Sequence, residues 1–128
     1  PDYQFITFDR QAPALENLCK ITDVKYRPVD FMPLCDRVVS KPGFSTYAEA
    51  TRLDVPIATL PRHDFAEGAV LLNGIKTYCQ HQILDPQKFA QGDWTFLREM
   101  PNQPIGNTPI DKSGTEAIAT EIINFLSR

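Results

Sequence analysis

The sequence predicts an α/β fold, a parallel sheet flanked by helices. Two observations carry this. Short apolar runs at Arg37–Ser40 and Pro56–Leu60 have the look of strands buried on both faces. They alternate with helical periodicities at Thr46–Leu53 and Phe65–Tyr78, and strand–helix–strand–helix order points to a parallel sheet. The chain has 128 residues, the size of one domain, and at 42% hydrophobic and 23% charged it can bury a core.

In chain order, Tyr3–Phe8 is aromatic and branched and reads as a strand. Pro13–Ile21 carries Leu15, Leu18 and Cys19 at helical spacing, which predicts a short helix. Val24–Val29 alternates and predicts a short strand, pushed to an edge by Pro28. Asp30–Leu34 resembles one helical turn. The helix over Phe65–Tyr78 would turn Phe65, Ala69, Leu72 and Ile75 to the sheet. A further helix over Pro86–Arg98 is open to splitting at Gly92, and Pro101–Pro109 reads as a surface loop. Ser113 with Glu116 is a capping-box pattern, followed by an apolar stripe at Ile118, Ile122, Phe125 and Leu126. This gives four strands: Tyr3–Phe8, Val24–Arg27, Arg37–Ser40 and Pro56–Leu60.

The formal net charge of −3, with scattered cations, argues against nucleic acid and anionic lipid as partners. No run reaches the ~18 to 20 apolar residues that span a bilayer. Cys19, Cys35 and Cys79 fit neither a disulfide framework nor a zinc site; buried or half-buried free thiols are the simplest reading, and they point to a reducing, cytoplasmic compartment. No metal site or cofactor is expected. The start at Pro1-Asp2, without methionine, reads as a fragment of a larger two-domain protein.

The stretch richest in chemistry runs from Cys35 to Pro61. A buried strand delivers Gly43 onto the start of a helix. The free N–H groups of Phe44, Ser45 and Thr46 then face outward with the helix dipole behind them, and the hydroxyls of Ser45 and Thr46 add donors. That arrangement suits a diphosphate. Ligands of open parallel sheets bind at the C-terminal strand ends, where this loop belongs. The plainer alternative is an ordinary strand–helix turn in which Thr46 and Glu49 form a capping box. A second polar run, Pro61-Arg-His-Asp-Phe-Ala-Glu-Gly68, follows the next strand and should lie beside the first loop. Asp64 is also a candidate helix N-cap, with Glu67 three residues on, and His63 a candidate for plain solvation.

The segment Ser40-Lys41-Pro42-Gly43-Phe44-Ser45-Thr46-Tyr47-Ala48-Glu49-Ala50, then Asp54-Val55-Pro56-Ile57, resembles the donor-site signature of GT-B glycosyltransferases of the family 28 C-terminal type, MurG-like and monogalactosyldiacylglycerol synthase-like. That signature runs strand, Ser or Thr, a basic residue, Gly, then Thr, Glu-Ala, and Gly-x-Pro before the next strand. The resemblance covers about Tyr3 to Ile83. A similar segment occurs in plant arabinokinase-like proteins. The chain departs from the signature where Phe44 stands for a second small residue. Lys41-Pro42 stands where natural-product transferases begin with His, so no histidine role is carried over there.

The resemblance implies a Rossmann-like parallel sheet, the donor-binding half of an inverting transferase that moves a hexosyl group from a nucleotide-sugar, with a UDP-sugar the expected donor. It implies that Gly43, Phe44, Ser45, Thr46 and Arg62 face the donor diphosphate, Glu49 the ribose, and His63, Asp64 and Glu67 the sugar, with His63 also a candidate to help neutralise the diphosphate. Phe44 would pack on the base or on the neighbouring loop. The catalytic base and the acceptor site belong to an N-terminal domain outside this chain, so the isolated piece should turn over little or nothing. The donor half of such enzymes also opens with a strand that this chain lacks. The Tyr3 strand should then either pair directly with Arg37–Ser40 or stand detached from it, and the chain should tend to self-associate. The alternative functions are a non-catalytic nucleotide-sugar sensor, in some contexts fused to a sugar kinase, and an interaction module with a vestigial site.

Overall fold

A computed structural model describes residues 3–62 and 64–128. The chain is mixed α/β, with two small parallel sheets flanked by helices. The first sheet pairs β1 (Phe5–Thr7) with β2 (Leu18–Lys20). The second has the order β3 (Val38–Ser40), β4 (Ile57–Thr59), β5 (His81–Ile83). Helices α2 (Phe44–Arg52) and α3 (Gly68–Tyr78) connect its strands. The remaining helices are α1 (Pro28–Phe31), α4 (Pro86–Ala90) and α5 (Gly114–Leu126).

The β3–α2–β4–α3 region follows the sequence pattern closely. β4 is buried at every position, as a central parallel strand should be. Tyr47 and Ala50 of α2, and Ile75 of α3, pack with Ile57, Val55 and Met32 to form the core. A hydroxyl relay ties the layers together. Thr59 Oγ1 donates to the carbonyl of Ser40 (2.8 Å), so the 2.6 Å contact with Tyr47 is one in which the Tyr47 hydroxyl donates to Thr59. This pins α2 to the C-terminal ends of β3 and β4, directly below the Gly43 loop.

α2 stops in a Schellman turn. The Val55 N–H bonds the Ala50 carbonyl (3.0 Å) and the Asp54 N–H bonds that of Thr51 (3.3 Å), with Asp54 in the left-handed region at φ 58°. Asp54 occupies the position of the glycine in the Gly-x-Pro signature. α3 begins at Gly68 rather than at Phe65, because the chain first turns (Gly68 N–H to Phe65 carbonyl, 2.8 Å) and passes close over the helix start. A Cβ on Gly68 would lie 2.5 Å from the Arg62 carbonyl, so the position admits only glycine without a shift. α3 meets the core through Ile75 and Leu71, while Ala69 is exposed and does not face the sheet.

Elsewhere the structure corrects the sequence expectations. The helix expected over Pro13–Ile21 is absent; its second half is β2, in parallel register with β1 (Phe5 with Leu18, Thr7 with Lys20). Long-range pairing overrides a local periodicity built on only three residues. The strand expected at Val24–Val29 is a turn leading into α1. Asp23 accepts from the Lys25 N–H (3.1 Å), and Pro28 occupies the first turn of α1, where its fixed φ suits a helix start. The expected single helical turn over Asp30–Leu34 is split between the end of α1 and a 3-10 turn at Met32–Leu34.

β3 is not buried on both faces: Val39 is 36% exposed. Its outer edge carries no partner strand among the described residues, since β1 pairs with β2 and stands detached from β3. β5 escaped the sequence reading because His-Gln-Ile is polar. Both His81 and Gln82 are nevertheless buried, and Gln82 has partners. Arg37 donates to the Gln82 side-chain oxygen and to the carbonyls of Phe96 (2.8 Å) and Glu99 (3.0 Å), while the Gln82 amide donates to the same Phe96 carbonyl (3.0 Å). Burial lowers the Arg37 pKa from its ordinary value, with Tyr3, Asp36 and Glu99 opposing the shift.

The helix expected over Pro86–Arg98 breaks at Gly92 (φ 80°) into α4 and a 3-10 turn at Thr95–Arg98. Ser113 does not make its capping box: its hydroxyl and N–H both bond the Asp111 carboxylate instead, ahead of α5. Cys79 is buried and Cys35 half-buried, as expected, but Cys19 is exposed on β2; all three are free thiols.

Candidate functional site

β3 and β4 run parallel in register, Ser40 opposite Thr59, so the loops that follow them leave the same end of the sheet. The first is Lys41-Pro42-Gly43. Gly43 is the N-cap of α2, and its carbonyl takes the first helical bond, from Tyr47 N–H at 3.0 Å. The N–H groups of Phe44, Ser45 and Thr46 therefore lack intrahelical partners, and no side chain among the described residues caps them. Thr46 is inside the helix, so the alternative capping box of Thr46 with Glu49 does not form. Glu49 lies in the second turn, not the first, about 9 Å along the axis from Gly43 at helical rise.

Gly43 itself has an extended backbone (φ −157°, ψ 130°), and a Cβ there would meet only the Lys41 carbonyl, at 4.0 Å. The fold makes no demand for glycine at this position. Ser40, the last residue of β3, has a buried hydroxyl oxygen with no hydrogen-bond partner among the described residues. Phe44, at the first helical position, is 72% exposed, so it does not pack on the neighbouring loop.

The second loop runs from Leu60 to Glu67. Arg62 is exposed, with Nε 3.5 Å from the Asp64 carboxylate and its guanidinium 5.0 Å from the centre of the Phe65 ring. Asp64 is not the N-cap of α3. That position is Glu67, whose own backbone is helical and whose side chain makes no cap bond. His63 lies outside the described residues. The loops thus bring Gly43, Phe44, Ser45 and Thr46 to the same sheet end as Arg62, Asp64 and Glu67.

Comparison with protein-family models, curated proteins and solved structures gives no match.

Among the described residues no group of three or more His, Cys, Asp or Glu side chains is placed to hold a metal ion, and no helix is long and apolar enough to cross a membrane. The sequence reading missed two features beside the site. One is the Tyr47–Thr59–Ser40 relay beneath the glycine loop, whose members are too far apart in sequence to be paired in advance. The other is Gly68, whose need for glycine is a close contact with a loop carbonyl and leaves no local signal.

Proposed function

We propose that the chain is the nucleotide-sugar-binding half of a GT-B glycosyltransferase, with UDP as the nucleotide. The observation that carries this is an uncapped helix N-terminus at the C-terminal end of a parallel strand, entered through a glycine that the fold does not itself require. Helix N-termini favour anions through their free N–H groups and dipole. The diphosphate would sit over Phe44, Ser45 and Thr46, with Arg62 supplying a cation from the adjacent loop. Its ion pair with Asp64 is exposed and weak, so it does not hold the guanidinium away from a phosphate. Exposed Phe44 offers a stacking face for the base. Glu49, one turn and a half into the helix, presents two carboxylate oxygens to the ribose diol. Asp64, Glu67 and His63 would face the sugar. Transfer would be displacement at the anomeric carbon, with the departing diphosphate stabilised by fixed N–H donors. The base that activates the acceptor would come from a second domain.

Titration calorimetry with UDP tests this. The wild-type chain should bind, and Gly43→Val should abolish binding while circular dichroism stays unchanged, since a Cβ fits the fold at Gly43. Glu49→Gln should weaken UDP by about tenfold or more, the value of one charge-assisted hydrogen bond, and 2′-deoxy-UDP by less. No uptake of UDP by the wild type, or equal affinity in a folded Gly43→Val chain, removes the reading.

A further inference from the structure

Two apolar surfaces of this chain have no partner among the described residues. One is an open groove between β1 and the outer side of β3, with a volume of about 1190 Å³, lined by Phe5, Ile6, Leu34, Val39, Trp94 and Leu97 among others. The other is α5. Every residue from Asn107 to Arg128 is exposed, and the stripe of Ile118, Ile122, Ile123, Phe125 and Leu126 is 54–76% exposed. A helix of 13 residues is marginal alone in water, so α5 needs a surface to lie on.

We infer that α5 of one copy docks into the β1–β3 groove of a second copy, and reciprocally, giving a two-fold dimer. Charge agrees. The helix carries Glu116 and Glu121, whereas the groove carries Arg37 and Arg98 against a single acid, Asp36. The acidic polar face of α5 also disfavours an anionic membrane as its surface. Area decides between ways of pairing. Five such side chains remove roughly 500 Å² from water per helix. Two α5 helices packed on each other would bury about 1,000 Å² in all, below the span of stable interfaces, whereas two helix-in-groove contacts bury about twice that. This inference is independent of the nucleotide reading.

Trp94, the sole tryptophan, lines the groove and is 42% exposed, so its emission reports occupancy. Sedimentation equilibrium and Trp94 emission would be followed together over a concentration series of the full chain. The wild type should dimerise, with a blue shift that tracks the dimer. Ile122→Glu on the helix and Leu34→Glu in the groove both replace exposed side chains, so neither should disturb the fold. Each acts twice in a two-fold dimer and should raise the dissociation constant by about a hundredfold. A synthetic peptide of residues 113–128 should restore the blue shift to the Ile122→Glu chain. Three results would overturn the inference. The first is a monomer at all concentrations, including one whose Trp94 is already shielded by its own α5. The second is a dimer indifferent to both substitutions. The third is a dimer lost with Ile122→Glu but unaffected by Leu34→Glu and silent at Trp94, which would mean that α5 pairs with itself.

Discussion

Asp54 is the residue most at odds with its backbone. It ends α2 at φ 58°, where a side chain costs about 1 kcal/mol or more and glycine costs nothing. Its compensation is an ion pair with Lys112 at 2.6 Å, but the Asp54 side chain is 81% exposed and such pairs contribute little. Asp54→Gly should therefore leave stability unchanged or raise it by up to about 1 kcal/mol, while Asp54→Val should lower it by more than about 1 kcal/mol. Urea unfolding of the two variants would decide, and a clear loss in Asp54→Gly would mean that the Lys112 contact outweighs the backbone. Gly43 is the converse case, a glycine in a conformation open to any residue.

At the scale of elements, α2 is joined to the sheet by apolar packing and by one relay of hydroxyls. The two ends of that relay are unequal. Removing the Tyr47 hydroxyl leaves Thr59 still donating to the Ser40 carbonyl, so Tyr47→Phe should cost about 1 kcal/mol. Thr59→Val removes the acceptor of a buried phenol and the donor to a strand carbonyl together, and should cost about 2 to 3 kcal/mol. The double variant should cost less than the sum, because both act on one network. Additive losses in thermal melts would show that the relay does not couple helix to strand. If the nucleotide reading holds, Thr59→Val should also weaken UDP, since it loosens the base of the glycine loop.

For the whole molecule, burial acts on several acids in one direction. Desolvation raises the Cys79 and Cys35 thiols and the Tyr47 phenol above their ordinary values, with Asp54 adding to the shift of Cys79 and Asp36 to that of Cys35. Between the unfolded and the raised folded pKa the native state holds more protons, so stability falls as pH rises. The urea midpoint should hold up to about pH 8.5, where unfolded thiols ionise, and decline above it. Cys79→Ala should start lower at neutral pH but decline less steeply. A midpoint that is flat or rising from pH 8 to 10 would contradict this. With a thiol reagent at neutral pH, exposed Cys19 should react at once and buried Cys79 only on unfolding.

The sequence by itself determined the β3–α2–β4–α3 unit and the place of the glycine loop. There the apolar runs are bounded by Gly and Pro, the helices are long enough to show their period, and each element is specified by neighbours close in the chain. Tertiary structure alone decided the rest. Leu18–Lys20 became a strand because β1 offered it a ladder, against a weak helical period. His81–Ile83 became one because Arg37, far earlier in the chain, reaches Gln82 and shares with it the Phe96 carbonyl, which allows polar side chains to be buried. α3 was shortened to Gly68 by the close passage of Arg62, and the open side of β3 follows from β1 pairing with β2. In each case the deciding partner lies elsewhere in the chain, and hydrogen bonds or close contacts formed over that distance leave no mark in the local pattern of residues.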